Sequence, residues 1–219
     1  MSMLPQIKTK GSLTEKTYET LKRAILDFDL KPGQLLTEEE LSTQLGISRT
    51  PLRAAINKLT YENLITVIPG RGTFVSELNP DYMEDIFVVR ETMEALCVKL
   101  AAESRTESNI KEMEDIIEEQ SSLLDEKDFD AKYFIKLDVR FHYAIAKATK
   151  NEILKEQTLQ LGQGYCRYII AVPFQDKARK IVKEHRMILE AIETGAGEEG
   201  AKIVQAHIKD IKQRIVERL

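Results

Sequence analysis

The 219-residue sequence has no tryptophan, only 6 prolines and 10 glycines, and aromatic side chains make up 6% of it. So few aromatics and turn-formers disfavour a β-sandwich or barrel, exclude a collagen-like repeat and favour helices. The two cysteines, Cys97 and Cys166, are 69 positions apart, which excludes a disulfide framework and a cysteine-based zinc knuckle. No run approaches the roughly 18 consecutive apolar residues of a membrane span. The opening segment, MSMLPQIKTKGS, lacks the apolar stretch of a secretory signal, so the expected location is the cytoplasm. Against these absences stand 42% hydrophobic and 31% charged residues, the composition of a folded globular chain of one large or two modest domains.

Acidic residues outnumber basic ones overall, giving a net charge of −4, but the basic residues are unevenly placed. Residues 1–76 carry 10 Lys and Arg against 8 Asp and Glu, and residues 77–219 carry 22 against 28. Over 48–75 the basic residues are Arg49, Arg53, Lys58 and Arg71, with Glu62 as the acidic one. A basic patch on an acidic chain suits a local polyanion contact, and equally a solvated face, until a motif decides.

A motif is present. Residues 13–28 place Tyr18, Leu21, Ala24, Ile25 and Phe28 on one helical stripe, and Lys31-Pro32-Gly33 ends it. Thr37 and Glu40 have capping-box spacing for a short second helix that Gly46 stops, and Ser48 stands at the cap of a third. This is helix-turn-helix punctuation. On the third helix Leu52, Ala55, Ile56 and Leu59 share an arc of about 100° that suits a core. Arg49, Thr50, Arg53 and Asn57 occupy a separate arc, the donors that major-groove reading and phosphate contact require. Two short β runs, 64–68 and 73–75, flank Pro69-Gly70-Arg71-Gly72, a wing with Arg71 at its tip and glycines that allow close backbone approach. The expectation is a protein that binds double-stranded operator DNA.

SRTPLRAAINKL at 48–59 and PGRGTFV at 69–75 resemble the winged helix-turn-helix of GntR-family bacterial regulators. The resemblance implies operator contacts from Arg49, Thr50, Arg53, Gly70 and Arg71. Ala54 replaces the family's usual Glu, and Glu39 stands where some relatives place a base-contacting Arg, so no relative's operator sequence carries over.

Asn79-Pro80 reads as a cap with proline at the first helical position, giving a DNA-binding domain over 1–76 and a second domain over 77–219. Breaks near 104–108, 126–128, 149–151, Pro173 and 195–197 divide the second domain into six helices of roughly 15–24 residues. The expected fold is mostly α, a winged helix-turn-helix followed by an all-α bundle. Three of its apolar stripes carry polar residues: Asp138 and His142 on the third helix, His185 on the fifth and His207 on the last. Asp138 and His142 are i, i+4 neighbours, while His185 and His207 each lie 11 residues from Ala196, so two antiparallel helices joined there bring both rings level. Three imidazoles and a carboxylate make a site for a divalent transition metal, with Zn, Ni or Mn all reasonable. The same placement admits Asp138 bonding a histidine with no metal.

DVRFH at 138–142, EHRMILEAI around His185 and QAHI around His207 resemble the FCD ligand-binding domain of the FadR-type branch. That resemblance implies a metal held by Asp138, His142, His185 and His207, a small carboxylate effector at its open positions, and an arginine on the domain's first helix that helps bind it. Arg90 is the matching residue, its other use being an ion pair with Glu94 at i+4; Arg140 points away from its ligand neighbours. A homodimer follows from the family and from operator symmetry. The reading is an effector-responsive regulator, not an enzyme. Its alternatives are a sensor in which the ion is the signal and, further off, a metalloenzyme fused to a winged helix.

Overall fold

The computed structural model describes residues 13–170 and 175–217; the opening segment and the break at Pro173 lie outside the described residues. The chain divides into two compact units, Met1–Glu77 and Leu78–Leu219.

The first unit runs α1 (Leu13–Leu26), β1 (Leu35–Leu36), α2 (Glu38–Leu45), α3 (Arg49–Tyr61), β2 (Ile65–Ile68) and β3 (Gly72–Val75). Tyr18, Leu21 and Ile25 of α1 meet Leu52, Ala55, Ile56 and Leu59 of α3 in a small core. Helix α1 stops short of Phe28, which adopts φ +61° and is only half-buried, because the Leu30 amide turns back to the Ala24 carbonyl at 3.0 Å. At α2 the Thr37 hydroxyl accepts from the Glu40 amide and donates to the Glu40 carboxylate at 2.7 Å, so the glutamate returns to the hydroxyl and not to the backbone. Ser48 occupies the cap position of α3 with no side-chain capping bond. The wing is also wider than a hairpin. Leu35 pairs with Phe74, making an antiparallel sheet of order β1-β3-β2. Two leucines carry no β pattern of their own, and only the non-local pairing makes them a strand.

The second unit is a helical bundle of α4 (Pro80–Ser104), α5 (Glu107–Leu123), α6 (Ala131–Ala148), α7 (Glu152–Ile170), α8 (Ala178–Thr194) and α9 (Gly197–Val216), with a short 3₁₀ turn at Gln175–Lys177. Asn79 caps α4 by accepting from the Asp81 and Tyr82 amides. Helix α6 packs against α4, α5 and α7, and α8 and α9 pack on α4 and on each other. Phe134, Leu137, Phe141 and Ile145 anchor α6, each burial favouring the fold by about 1.5–3 kcal/mol.

Two glycines set the register that matters below. Gly195, at φ +80°, turns the chain from α8 into α9. Gly200 then lets α9 approach α4 and α8 closely, since a β-carbon there would lie 2.7 Å from Val98 Cγ1 and 2.9 Å from Ala191 Cβ. That approach holds His207 opposite His185.

Candidate metal centre and nucleic-acid interface

In the first unit Arg49, Thr50, Arg53 and Asn57 are all exposed on α3, while Leu52, Ala55, Ile56 and Leu59 are buried. Gly70, at φ +73°, and Arg71 are exposed at the β2–β3 turn. One contact was not legible in the sequence: Arg53 is held by Glu38 of α2, Nε to Oε1 at 2.7 Å and Nη2 to Oε2 at 2.9 Å. The hydrogen bond and charge of Arg53 lower the Glu38 carboxyl below its ordinary value. Away from that face, Lys22 bonds the Tyr18 hydroxyl and pairs with Glu62 at 2.6 Å, tying α1 to the end of α3.

In the second unit Asp138 and His142 of α6, His185 of α8 and His207 of α9 are all buried. One donor atom from each can be chosen so that all four lie within 4.8 Å of one another. The rings are in mutual contact, with centroids 5.1 Å apart for His185 and His207, 5.4 Å for His142 and His185, and 5.5 Å for His142 and His207. Phe141 stacks on His185 at 4.2 Å and walls the cluster on one side.

The outer nitrogens of two of the rings are already engaged. His185 Nδ1 donates to Gln120 Oε1 at 2.8 Å, and His207 Nδ1 donates to Glu184 Oε2 at 2.7 Å. His142 Nδ1 lies 2.6 Å from Glu94 Oε2, without the alignment of a hydrogen bond. The Nε2 atoms of all three histidines are buried and have no hydrogen-bond partner among the described residues. Even His185 Nε2, 3.3 Å from Asp138 Oδ1, is not aligned to bond it. This is the arrangement of metal-ligating histidines, in which an outer carboxylate or amide orients the ring and leaves the inner lone pair free. The donor set suits a divalent transition metal.

Electrostatics agree with that chemistry. Burial pushes the His185 imidazole down to about 4 against the opposing pull of Asp138, so the ring is neutral near pH 7, as a ligand must be. Burial would raise the Asp138 carboxyl, but the adjacent imidazoles outweigh it and hold the group ionised. Burial likewise opposes ionisation of Glu94, and the charge of Arg90 overrides it, bringing Glu94 to about 2.

Arg90 is buried, 1% exposed, and sits beside the cluster. Its Nε donates to Glu94 at 2.7 Å, the ion pair that the i+4 spacing suggested. That pairing leaves Nη1 and Nη2 buried with no partner among the described residues. The guanidinium lies 3.5 Å from the centre of the Tyr165 ring, whose hydroxyl donates to Asp138 Oδ2. Arg140, by contrast, is exposed and pairs with Glu119 at 3.2 Å.

Four contributors were not singled out from the sequence as site residues: Glu94, Gln120, Tyr165 and Glu184. Gln120 carried a readable signal, a polar residue on the stripe of Met113, Ile116, Ile117 and Leu123. Glu94 was legible only as the partner of Arg90. Tyr165 and Glu184 look like ordinary members of amphipathic helices.

Residues 13–75 match the bacterial regulatory proteins of the gntR family, and residues 85–210 match the FCD domain. The chain is 29% identical over 192 residues to the Nta operon transcriptional regulator of Aminobacter aminovorans, covering 88% of this chain and 89% of that one. It is 23% identical over 217 residues to the HTH-type transcriptional repressor RspR of Escherichia coli K12, covering 98% and 94%. Among solved structures, E. coli McbR/YncC superposes with a TM-score of 0.81 at 24% identity, covering 94% of this chain and 98% of the other. A GntR regulator from Rhodococcus sp. RHA1 gives 0.80 at 19% identity, with the same coverage.

Proposed function

The chain belongs to the GntR family of bacterial regulators and carries an FCD domain, so it is a DNA-binding transcriptional regulator and not an enzyme; from that premise we propose that a small carboxylate, bound at a divalent metal in the second unit, modulates its operator binding. The observation that carries this reading is one buried cluster holding two sets of groups without hydrogen-bond partners. Three histidine Nε2 atoms converge with Asp138, and both Nη groups of Arg90 stand unpartnered beside them. Buried polar groups left unpaired in this way are costly and are retained where a ligand satisfies them.

Asp138, His142, His185 and His207 would hold the ion, with zinc, nickel and manganese all compatible with the donors. A bound divalent ion supplies Lewis acidity and a point of attachment for a carboxylate oxygen. The chain's own residues do the rest. Gln120 and Glu184 orient the rings of His185 and His207, Glu94 lies against His142, and Arg90 offers a planar fork that matches a carboxylate. Phe141, stacked on His185, excludes water from that side. We assign DNA contact to residues 1–76, through Arg49, Thr50, Arg53, Asn57, Gly70 and Arg71, and the response to residues 77–219. The protein acts in the cytoplasm as a homodimer on a two-fold operator. An effector changes DNA affinity only by as much as it binds the DNA-competent and incompetent states differently.

Elemental analysis of the purified protein beside His207→Ala tests the site. About one transition-metal ion per chain, lost in the variant, is expected for a four-donor site. No metal in either protein after incubation with Zn, Ni and Mn would overturn it. Operator titrations with carboxylates present should then shift affinity by about fivefold or more. A metal that binds reversibly and shifts DNA affinity by itself would instead make the ion the signal.

A further inference from the structure

One side of helix α4 lies open to solvent and is apolar at its centre. Asp85, Val88, Val89, Thr92, Leu96 and Lys99 fall within one arc of about 100°. All are exposed save the half-buried Lys99, while the opposite side of α4 packs against α6, α7, α8 and α9. The apolar members stand well out of the core, Val88 at 57% exposure, Val89 at 46% and Leu96 at 44%. The outward stripe of an amphipathic helix is ordinarily polar, and valine forms helix less readily than the residues that usually fill it. Along one flank Glu84 and Glu91 are already bridged to Lys212 and Lys209 of α9, at 2.6 and 3.1 Å. The apolar strip therefore has a polar border, as the core of a protein–protein contact does.

The charges at its two ends select the occupant. Asp85 and Lys99 each lie seven residues from Thr92, and Val88 and Leu96 each lie four. A two-fold axis across α4 at the level of Thr92 sets two copies antiparallel. Asp85 then meets Lys99 of the partner subunit, and Val88 meets Leu96 of the partner subunit. Parallel helices would set aspartate on aspartate and lysine on lysine, which repel. We propose that this face of α4 is the seam between two copies of the chain, packed antiparallel about Thr92 with Val88, Val89 and Leu96 at its centre. The proposal rests on the homodimer reading above and gives it a surface and a register.

The same register bounds the contact. Eleven residues from Thr92 it opposes Asp81 to Glu103, a repulsive pair, but helices that cross at about 20–50° have diverged there, roughly 16 Å from the axis. The flexible stem of lysine reaches across the smaller gap at Asp85. Lys99 pairs within its own chain with Glu198 at 2.8 Å, a contact open to solvent and of little worth, so it is free to exchange that partner for Asp85 of the partner subunit.

Sedimentation equilibrium of the full-length protein over a wide concentration range, with circular dichroism of each variant, tests the seam. The wild type is expected to be a dimer. Leu96→Glu brings two carboxylates into the apolar centre, one from each copy, and should raise the dissociation constant by about 100-fold or more. Asp85→Lys and Lys99→Asp should each raise it by about tenfold or more, and the double variant Asp85→Lys/Lys99→Asp should return to within about threefold of the wild type. Loss of the Glu198 pair, or a loosened helix, would not be repaired in that way. In a parallel seam neither single variant would weaken association, because each position would already face its own kind. A dimeric wild type whose variants all associate as tightly would overturn this surface and leave the homodimer reading intact. Weakening by both single variants without rescue by the double would overturn the antiparallel register. A wild type that stays monomeric throughout would overturn the homodimer reading itself. The three charge variants decide these outcomes even if Leu96→Glu does not fold.

Discussion

Glu38 grips Arg53 through two parallel hydrogen bonds, of 2.7 and 2.9 Å, reaching from α2 to the exposed face of α3. The pair is open to solvent, so its worth to stability is small. Its consequence lies in binding, because the carboxylate both aims the guanidinium and cancels its charge. Arg53→Ala should weaken operator binding by about tenfold or more, the size of one lost directional contact. Glu38→Gln should do the opposite to non-specific DNA, raising its affinity and steepening the salt dependence by about 0.9 in log–log slope. Fluorescence anisotropy across a salt series reads both, and an unchanged slope in Glu38→Gln would show that Arg53 does not reach phosphate.

Arg71 stands exposed at the tip of the wing between glycines. As a phosphate or minor-groove contact, Arg71→Ala should lower affinity for operator and random DNA by similar factors and reduce the salt slope by about 0.9. Loss confined to one operator base pair would make it a base reader instead.

Gln120 fixes the ring of His185 without adding charge. Gln120→Leu keeps the volume and removes the orienting acceptor, so metal affinity should fall by roughly 10–100-fold. Circular dichroism should stay that of the wild type. Competition with a chromophoric chelator measures this, and retained full affinity would mean that packing against Phe141 alone orients the ring.

Acid should destabilise the metal-free second unit. His185 takes its proton at about 4 in the folded chain and near 6.5 when unfolded, so its contribution is complete above 6.5 and is lost as pH falls through that window. Glu94 is held at about 2, below its unfolded value, so its contribution is lost at still lower pH. Both signs point the same way. The melting temperature of the metal-free protein should drop by on the order of 10 °C between pH 7.5 and 5. Bound metal should blunt that drop near neutrality, because protons and metal compete for the same nitrogens. A flat profile down to pH 5 would show that His185 is not buried as a neutral ring.

Much of the fold was legible because the helices are long and strongly periodic. Apolar stripes such as Phe134, Leu137, Phe141 and Ile145 name a face wherever the helix packs, and Asn79-Pro80 or Gly195 mark ends by backbone chemistry alone. Phe28 falls off the helix for the complementary reason. A stripe continues on paper past the point where the chain turns, and the turn is made by the Leu30 amide reaching back to Ala24. Strand β1 leaves no local signal because two leucines become a strand only by pairing with Thr73 and Phe74.

The candidate site divides along the same line. A carboxylate and three imidazoles on apolar stripes declare themselves in the sequence, because burial without a purpose or a partner is too costly to be common. What surrounds them does not. That Glu94 serves both Arg90 and His142, that Gln120 and Glu184 orient the remaining rings, and that Tyr165 joins Asp138 to the Arg90 face are facts of which helix lies against which. The sequence by itself determined the helices, their buried faces and the donors those faces carry, since periodicity and capping are local. Only the tertiary structure decided which donors meet and which nitrogens are already spent, because those depend on close approaches such as that at Gly200 between residues far apart in the chain.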